Sequence, residues 1–487
     1  MITFPEYAPD RSRLDPAVTD TATNVVPKAG GYGPFPQQSI VSSALAAVPR
    51  GAFLARDNAG AYSIFAFTAG KAYKFNTSTS GWDDVTKAAT TYGLPASEAW
   101  AVEQFGTQVI ASNSFDENQV FTLGSSTEFA DLGGGSPKAL RNTVVSEFFV
   151  VGRTDDYGIN SIAWSGINDA TYWTPGRRAS DYQVFPDGGE VLGVIGAERG
   201  GLVFQDSAIR EMVFNPSSPF IFNFEKTDES KTIIAPRGIV RAGGQIFYIA
   251  LEGFYRYGRP SAPIGNERVD RFFAEDVNQS YIWQTQASAD PINHKVYWRY
   301  TSNDSNSAEA TDRVLVYDYA LDRWSVMNID LTWLFPAVTP GETLESLDAL
   351  GYTLDTLPAS LDSRFWAGGV PLIGGFDTSY RLVFFSGAPM AATVGTGDVM
   401  LLSPRRAFVN GWRPVTDAPS ISGRVGVRDW TGGNLTWKTS YDVLRTGEIP
   451  ARANGRTHRF EASISAGTQW SYLHGLDPSS VTDGGNQ

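Results

Sequence analysis

From about residue 50 onward, apolar and polar positions alternate in short runs, each closed by Gly, Asp or Asn. Ala61-Tyr62-Ser63-Ile64-Phe65-Ala66-Phe67 is followed by a Gly70 turn, Lys71-Ala72-Tyr73-Lys74-Phe75 and a Gly81-Trp82-Asp83-Asp84 corner. A period of two is the signature of a half-buried strand, and Gly or Asp between two such runs predicts a hairpin. The pattern recurs in Trp100–Leu123, Glu147–Trp173, Val191–Phe214, Gly244–Gly258 and Lys295–Ser325. These are about six units of roughly 35–50 residues, the period of ring and solenoid repeats.

A unit of three or four strands cannot bury both of its faces. Stacking several units around an axis covers the faces and hides most edges, which predicts a β-propeller-like ring. The competing arrangement is a pair of β-sandwiches of about 140 residues each. The expected fold class is therefore all-β: a propeller-like ring of short antiparallel sheets over 46–335, then a separate β-rich domain over 375–487. In that second domain, Arg381–Phe385, Gly423–Arg428, Leu435–Lys438 and Phe460–Ile464 again read as strands.

Two segments break the pattern. Residues 1–45 carry Pro5, Pro9, Pro16, Pro27, Pro34 and Pro36, which stop any long helix or central strand, so an extended arm is expected. Phe4, Tyr7, Tyr32 and Phe35 give that arm apolar anchors for its own body or a neighbour. Between 336 and 374, Ser346-Leu347-Asp348, Thr353-Leu354-Asp355 and Ser360-Leu361-Asp362 recur at a heptad spacing broken by Gly351 and Pro358. Ser or Thr before Leu-Asp is capping chemistry, and a strap of short turns between domains is expected there, not a calcium loop.

Composition sharpens the fold and narrows the chemistry. Aromatic residues make up 13% of the 487 positions and charged residues only 19%, a balance that suits pleated, half-buried surfaces. A formal charge of -13 argues against tight gripping of nucleic acid. With no cysteine there is no disulfide, thiolate metal site or cysteine nucleophile. The start, Met1–Tyr7, lacks a basic and then apolar leader, and no run approaches the ~20 apolar residues of a membrane helix, so a soluble protein assembled without secretion is expected.

Candidate catalytic groups are sparse. His294, His458 and His474 are too scattered for a metal cluster or a triad. Asp83, Asp84, Glu103, Asp116, Glu117, Asp155 and Asp156 are the acids a propeller glycosidase would use, yet nearly all adjoin turn residues. No phosphate-cradling glycine loop occurs, and Gly133-Gly134-Gly135 reads as a linker or turn. The expectation is no enzyme, no cofactor, no metal and no small-molecule substrate. Arginine concentrates towards the end of the chain, at Arg405, Arg406, Arg413, Arg424, Arg428, Arg445, Arg452, Arg456 and Arg459. Interleaved with acids, these suit protein contacts better than phosphate.

Two stretches carry a family resemblance. Near the start are Tyr7-Ala8-Pro9-Asp10, Asp20–Pro27 and Gly31-Tyr32-Gly33-Pro34-Phe35-Pro36. Near the end are Gly411-Trp412-Arg413-Pro414-Val415, Val427-Arg428-Asp429, Thr446-Gly447 and Arg456-Thr457-His458-Arg459-Phe460. Together they resemble the packaged-DNA stabilisation proteins, the tail nozzle or hub proteins of short-tailed bacteriophages. The resemblance implies a propeller-based homo-hexamer in the virion tail, assembled in the host cytoplasm. Such a ring sits beneath the portal and adaptor, passes the genome through its lumen without tight binding, and anchors fibres, spikes or a needle. An acidic wall, six times -13 in formal charge, would let phosphates slide. A carbohydrate-binding or carbohydrate-active propeller is the alternative.

On the nozzle reading, Phe4, Tyr7, Tyr32 and Phe35 of the arm, with Arg405, Arg406, Arg413, Arg428 and Arg456, are the expected subunit contacts. Removing residues 2 to 40 is then expected to leave the propeller folded and to weaken incorporation into the tail.

Overall fold

The computed structural model describes every residue except Pro16, Arg199, 217–219, Pro291, Asn306, Ala308, 340–368 and 486–487. The leucine-aspartate repeat at 346–362 lies outside the described residues.

The alternating runs form antiparallel sheets of four strands. Blades one to five occupy 51–84, 101–131, 139–184, 191–228 and 240–263, and each starts at its innermost strand and works outward. Blade six uses Gln286–Asp290, Lys295–Tyr300, Thr311–Asp318 and Arg323–Leu331. Successive innermost strands pack side by side, and the circle closes where Trp333–Val338 meets Gly51–Arg56. The chain is thus a β-propeller of six sequence-contiguous blades, closed by a seventh sheet assembled from both ends of the ring.

That seventh sheet contains Trp333–Val338, Pro371–Phe376, Arg381–Pro389 and, outermost, a strand from the N-terminal segment. The strands of that segment are β1 (Ile2–Thr3), β2 (Glu6–Tyr7), β3 (Val18–Thr23), β4 (Val25–Lys28), β5 (Gly31–Pro34) and β6 (Pro36–Ala44). Strand β6 pairs with Arg381–Pro389, placing Ser39 opposite Phe384. The ring therefore extends past 335 to Pro389 and includes part of the expected arm. The strands that flank 340–368 pair with each other, Ala337 opposite Leu372, and the Gly369 N–H donates to the Thr339 carbonyl at 2.8 Å; most of the expected strap lies outside the described residues.

Beyond the ring stand two further sheets. Strand β3 lies between the blade six strand Arg323–Leu331 and Ala392–Thr396 of the C-terminal domain. One sheet of eleven strands thereby runs from the propeller through the N-terminal segment to Ser422–Arg428 and Thr457–Ile464. A second sheet of seven strands combines β1, β4 and β5 with Ala407–Thr416, Ile449–Gly455, Leu473–Pro478 and Val481–Asp483.

Aromatic side chains fill the space between these layers. Trp412 is fully buried and meets Phe460 edge-on with ring centroids 5.9 Å apart. A Cβ at Gly423 would fall 2.3 Å from the Trp412 ring, so only glycine allows the strand to approach so closely. In blade six, Trp298 and Trp324 stack at 5.6 Å. Their indole N–H groups donate to Gly238 O at 3.0 Å and Ile264 O at 3.1 Å, which satisfies the buried donors and ties blade six to the entry and exit of blade five.

The principal helix, α1 (Asp270–Asp276), starts where the N-terminal segment crosses it. The Asp10 carboxylate accepts hydrogen bonds from the backbone N–H groups of Arg271 at 2.7 Å and Phe272 at 2.8 Å. A carboxylate there satisfies two donors that lack partners within the helix. Among the described residues no helix is long and apolar enough to cross a membrane.

Candidate interaction surfaces

The four aromatic anchors of the N-terminal segment are in the interior of their own chain. Phe4, Tyr7, Tyr32 and Phe35 are each at most 4% exposed. Tyr7 meets Phe272 edge-on at 6.2 Å, and Phe35 packs on Phe385 of blade seven at 5.2 Å and Tyr297 of blade six at 6.2 Å. The Tyr32 hydroxyl donates to Pro5 O at 2.9 Å, and burial pushes its phenol up to about 12. Arg323 of blade six lies 5.2 Å over the Tyr32 ring and donates to the carbonyls of Pro5 and Lys28. These side chains pack inside their own chain, against blades six and seven and α1, which corrects their expected role as subunit contacts.

The five arginines divide into two sets. Arg428 and Arg406 are used internally: Arg428 pairs with the fully buried Asp398 and donates to Thr431 O at 2.7 Å, while Arg406 pairs with Asp429 at 3.3 Å. Arg405, Arg413 and Arg456 are exposed, Arg405 reaching only Asp483 at 3.1 Å. The segment 429–447 forms an edge of the eleven-stranded sheet, and most of its residues are exposed. It carries Trp430 at 68% exposure and, at its far end, Leu444 at 52%. Two short strands, Thr436–Trp437 and Tyr441–Asp442, pair on one side only with Ser422–Arg428. The alternating pattern marks Leu435–Lys438 as a strand, but nothing in it shows that the strand lies on an edge.

Most of the acids that a glycosidase would need are held by neighbours at a strand end or in a turn, or stand exposed. Asp83 accepts from Asn76 Nδ2 at 3.2 Å, and Asp84 pairs with Lys71. Asp116 accepts from Asn113 and from the Gly93 N–H, Glu117 faces Lys138 at 3.5 Å, and Asp155 and Asp156 are exposed turn residues. Glu103 differs from them. It sits on the innermost strand of blade two, where burial pushes its carboxyl up to about 7, opposed by the Gln104 N–H and the field of Arg241. No second free carboxylate accompanies it among its named neighbours, so it lacks the partner of an acid–base pair.

His458 is buried in the C-terminal sheet, with its pKa lowered by burial, while His294 meets Tyr319 and His474 bonds Gly30 O. Among the described residues no cluster of His, Asp and Glu could hold a metal ion. Gly134 adopts φ +67°, and a Cβ there would fall 1.6 Å from Thr171 O, as its reading as a turn requires.

One groove is lined by aromatic side chains. Between blades three and four, a cavity of about 480 Å³ is bounded by Trp164, Tyr182, Phe185 and Phe222, with Asp187 and Arg210 at its polar end. Asp187 is bound by Arg210 and by Lys226 at 2.6 Å, and the Lys226 hydrogen bond holds its carboxyl below the usual range. An acid neutralised in this way can orient a ligand but makes a poor proton donor at neutral pH.

No protein-family model matches the chain, and no curated protein sequence matches it. Among solved structures the chain is similar to BamB from Moraxella catarrhalis, at 9% identity and a TM-score of 0.36, over 74% of this chain and 93% of that one. It is also similar to the N-terminal domain of Nup159, at 10% identity and a TM-score of 0.36, over 75% and 98%. A third is Hsv2 of Kluyvelomyces marxianus, at 8% and 0.30, over 57% and 83%. Likenesses this distant carry no functional argument.

Proposed function

We propose that the chain is a structural virion protein, a subunit of the tail nozzle or hub of a bacteriophage, and that it is not an enzyme. The observation that carries this reading is the eleven-stranded sheet that continues from blade six into the C-terminal domain through β3, which bridges blade six at Thr23–Val326 and pairs along Thr19–Thr23 with Thr393–Thr396. A conduit must transmit force without opening at a hinge, and a hydrogen-bonded sheet crossing the boundary between domains resists bending there.

The acidic balance supports the same role, because a wall of net negative charge repels passing phosphates. The exposed Arg405, Arg413 and Arg456, with the one-sided strands of 429–447, suit contacts to neighbouring subunits, to the portal and adaptor ring, or to fibres, spikes or a needle. Six copies around the tail axis follow from the family resemblance.

Native mass measurement of the purified chain, with mass spectrometry of purified particles, tests the reading. A closed ring of six chains, or the chain present in particles at six copies, is expected. A strictly monomeric chain that is absent from particles would overturn it.

A second reading, a carbohydrate-binding propeller, is favoured by the groove between blades three and four, where Tyr182, 40% exposed, offers a ring to a sugar face above the buried Trp164, Phe185 and Phe222. Calorimetric titration with oligosaccharides separates the two, since binding lost on Tyr182→Ala, at an exposed ring, would support the second.

A further inference from the structure

Three arginines from different blades converge on one small enclosure near the propeller axis. Arg50 immediately precedes the innermost strand of blade one, Arg237 lies in the 3-10 turn Pro236–Gly238 ahead of blade five, and Arg299 is on the second strand of blade six. All three line a cavity of about 10 Å³, together with Gln284, Glu309 and Trp333. That volume admits the centre of a single water-sized sphere.

The lining is rich in donors and poor in acceptors. No carboxylate lies within 4.0 Å of any of the three guanidinium groups among the described residues. Arg237 donates to Ser97 O at 2.7 Å and lies 5.5 Å from the Trp283 ring. Arg299 is 3% exposed; it donates to Gln286 Oε1, Thr311 Oγ1 and Leu331 O and lies 5.3 Å from the Trp333 ring. Gln284 accepts from Thr301 Oγ1 at 3.0 Å, but its buried Nε2 has no acceptor. Glu309 is exposed, takes a hydrogen bond from the Tyr380 hydroxyl at 2.8 Å, and faces Arg50 alone of the three.

Like charges held together under tryptophan rings oppose the fold unless something negative joins them. Burial pushes Arg237 down to about 9, with Arg141 and Arg50 adding to the shift and Glu98, which is itself paired with Arg153 at 3.8 Å, opposing it. Arg299 is pushed well down by burial, and the charges acting on it are Arg237 and Arg50.

We propose that Arg50, Arg237, Arg299 and the Gln284 Nε2 bind a single monoatomic anion of chloride size. The bound anion draws blades one, five, six and seven together at the axis. The space suits a small anion, and three guanidinium groups with the Gln284 amide favour an anion over a cation. The site is independent of the virion reading and holds whatever the propeller serves.

The test has two arms. In thermal unfolding at constant ionic strength, gluconate is replaced stepwise by chloride. The melting temperature is expected to rise by about 1–2 °C for each tenfold in chloride above its Kd, given 487 residues unfolding together. Arg50→Gln and Arg237→Gln, both at partly accessible side chains, should move the response to at least tenfold higher chloride. In the second arm, crystals of the unaltered protein grown in bromide should show an anomalous peak between the three guanidinium groups. A melting temperature indifferent to the exchange, a response unchanged in both variants, or a cavity peak without anomalous signal would each overturn the proposal. So would Glu309→Gln destabilising the protein equally in chloride and gluconate, because the carboxylate would then be the counter-ion.

Discussion

Arg459 and Asp20 stand 439 positions apart in the chain and 2.9 Å apart in space, Nη1 to Oδ2. The same guanidinium donates Nε and Nη2 to Asp398 Oδ1, at 3.2 and 3.0 Å, and Asp398 also holds Arg428. Beginning and end of the chain thus share a buried charge network in which Asp398 is the most enclosed member, its side chain fully buried.

Removing that member leaves two guanidinium groups buried with too little negative charge. Asp398→Asn is expected to cost about 3–5 kcal/mol, read as a lower denaturant midpoint at an unchanged slope. Asp20→Asn should cost less, about 1.5–3 kcal/mol, because Arg459 keeps Asp398. A larger effect from Asp20 than from Asp398 would reverse the assigned order.

The Glu103 carboxyl gives the propeller a pH dependence of definite sign. Its folded pKa, raised to about 7, exceeds the ordinary 4.5, so the folded state holds the proton more tightly than the unfolded chain does. Below pH 4.5 both states are protonated and the group has no effect. Between 4.5 and 7 the unfolded chain ionises first, and this contribution falls with rising pH until it levels off above 7. Glu103→Gln is expected to match the parent near pH 4.5 and to exceed it by about 1–3 kcal/mol at pH 8. Thermal unfolding across that range checks it; parallel profiles for the two proteins would refute it.

Deleting β1 to β6 should unfold more than an arm. Strand β6 is the outermost strand of blade seven, and β3 joins the propeller to the C-terminal domain. Loss of cooperative unfolding and protease cleavage throughout the C-terminal domain are expected, rather than a folded body that merely assembles poorly. The single change Phe35→Ala, at a 4% exposed ring, should cost about 3–5 kcal/mol.

Charge reversal at Arg405, Arg413 and Arg456 should separate assembly from folding. Their side chains are exposed, so stability should stay within about 0.5 kcal/mol per substitution. Sedimentation of the triple glutamate variant is expected to show weaker self-association or weaker incorporation into particles. Unchanged assembly would remove these residues from the interface.

The hairpins of blades one to six are legible in the sequence because each strand pairs with its neighbour and alternation survives in runs such as Tyr62–Phe67. Blade seven is not legible in that way. Its outermost strand, Pro-Gln-Gln-Ser-Ile-Val-Ser-Ser-Ala at 36–44, has one strongly apolar pair and a proline at its start. Nothing local announces that its partner is Arg381–Pro389. The same separation hides the role of Tyr7 and Tyr32: an aromatic on a proline-stiffened segment reads as an anchor, but whether it docks in its own chain or another depends on distant strands. The axial arginines are equally obscure, since Arg50, Arg237 and Arg299 belong to different blades and only ring closure brings them together. Glu103 does stand out as an acid on an apolar strand rather than in a turn, although its shifted proton affinity required the tertiary burial.

The placement of β6 also sets an order of events in time. Its partner is completed only when Pro389 has been made, some 345 positions after Ala44. At about 5–20 residues per second the first strands wait roughly 20–70 s on the ribosome before the ring can shut. Over that interval Phe4, Tyr7, Tyr32 and Phe35 have no permanent shelter. The prolines between them reduce the chance that two nascent chains zip together in cis or in trans, because a strand that cannot donate every N–H is a poor template for another. The features that keep this segment from reading as a strand are therefore those that protect it until its place in the ring exists.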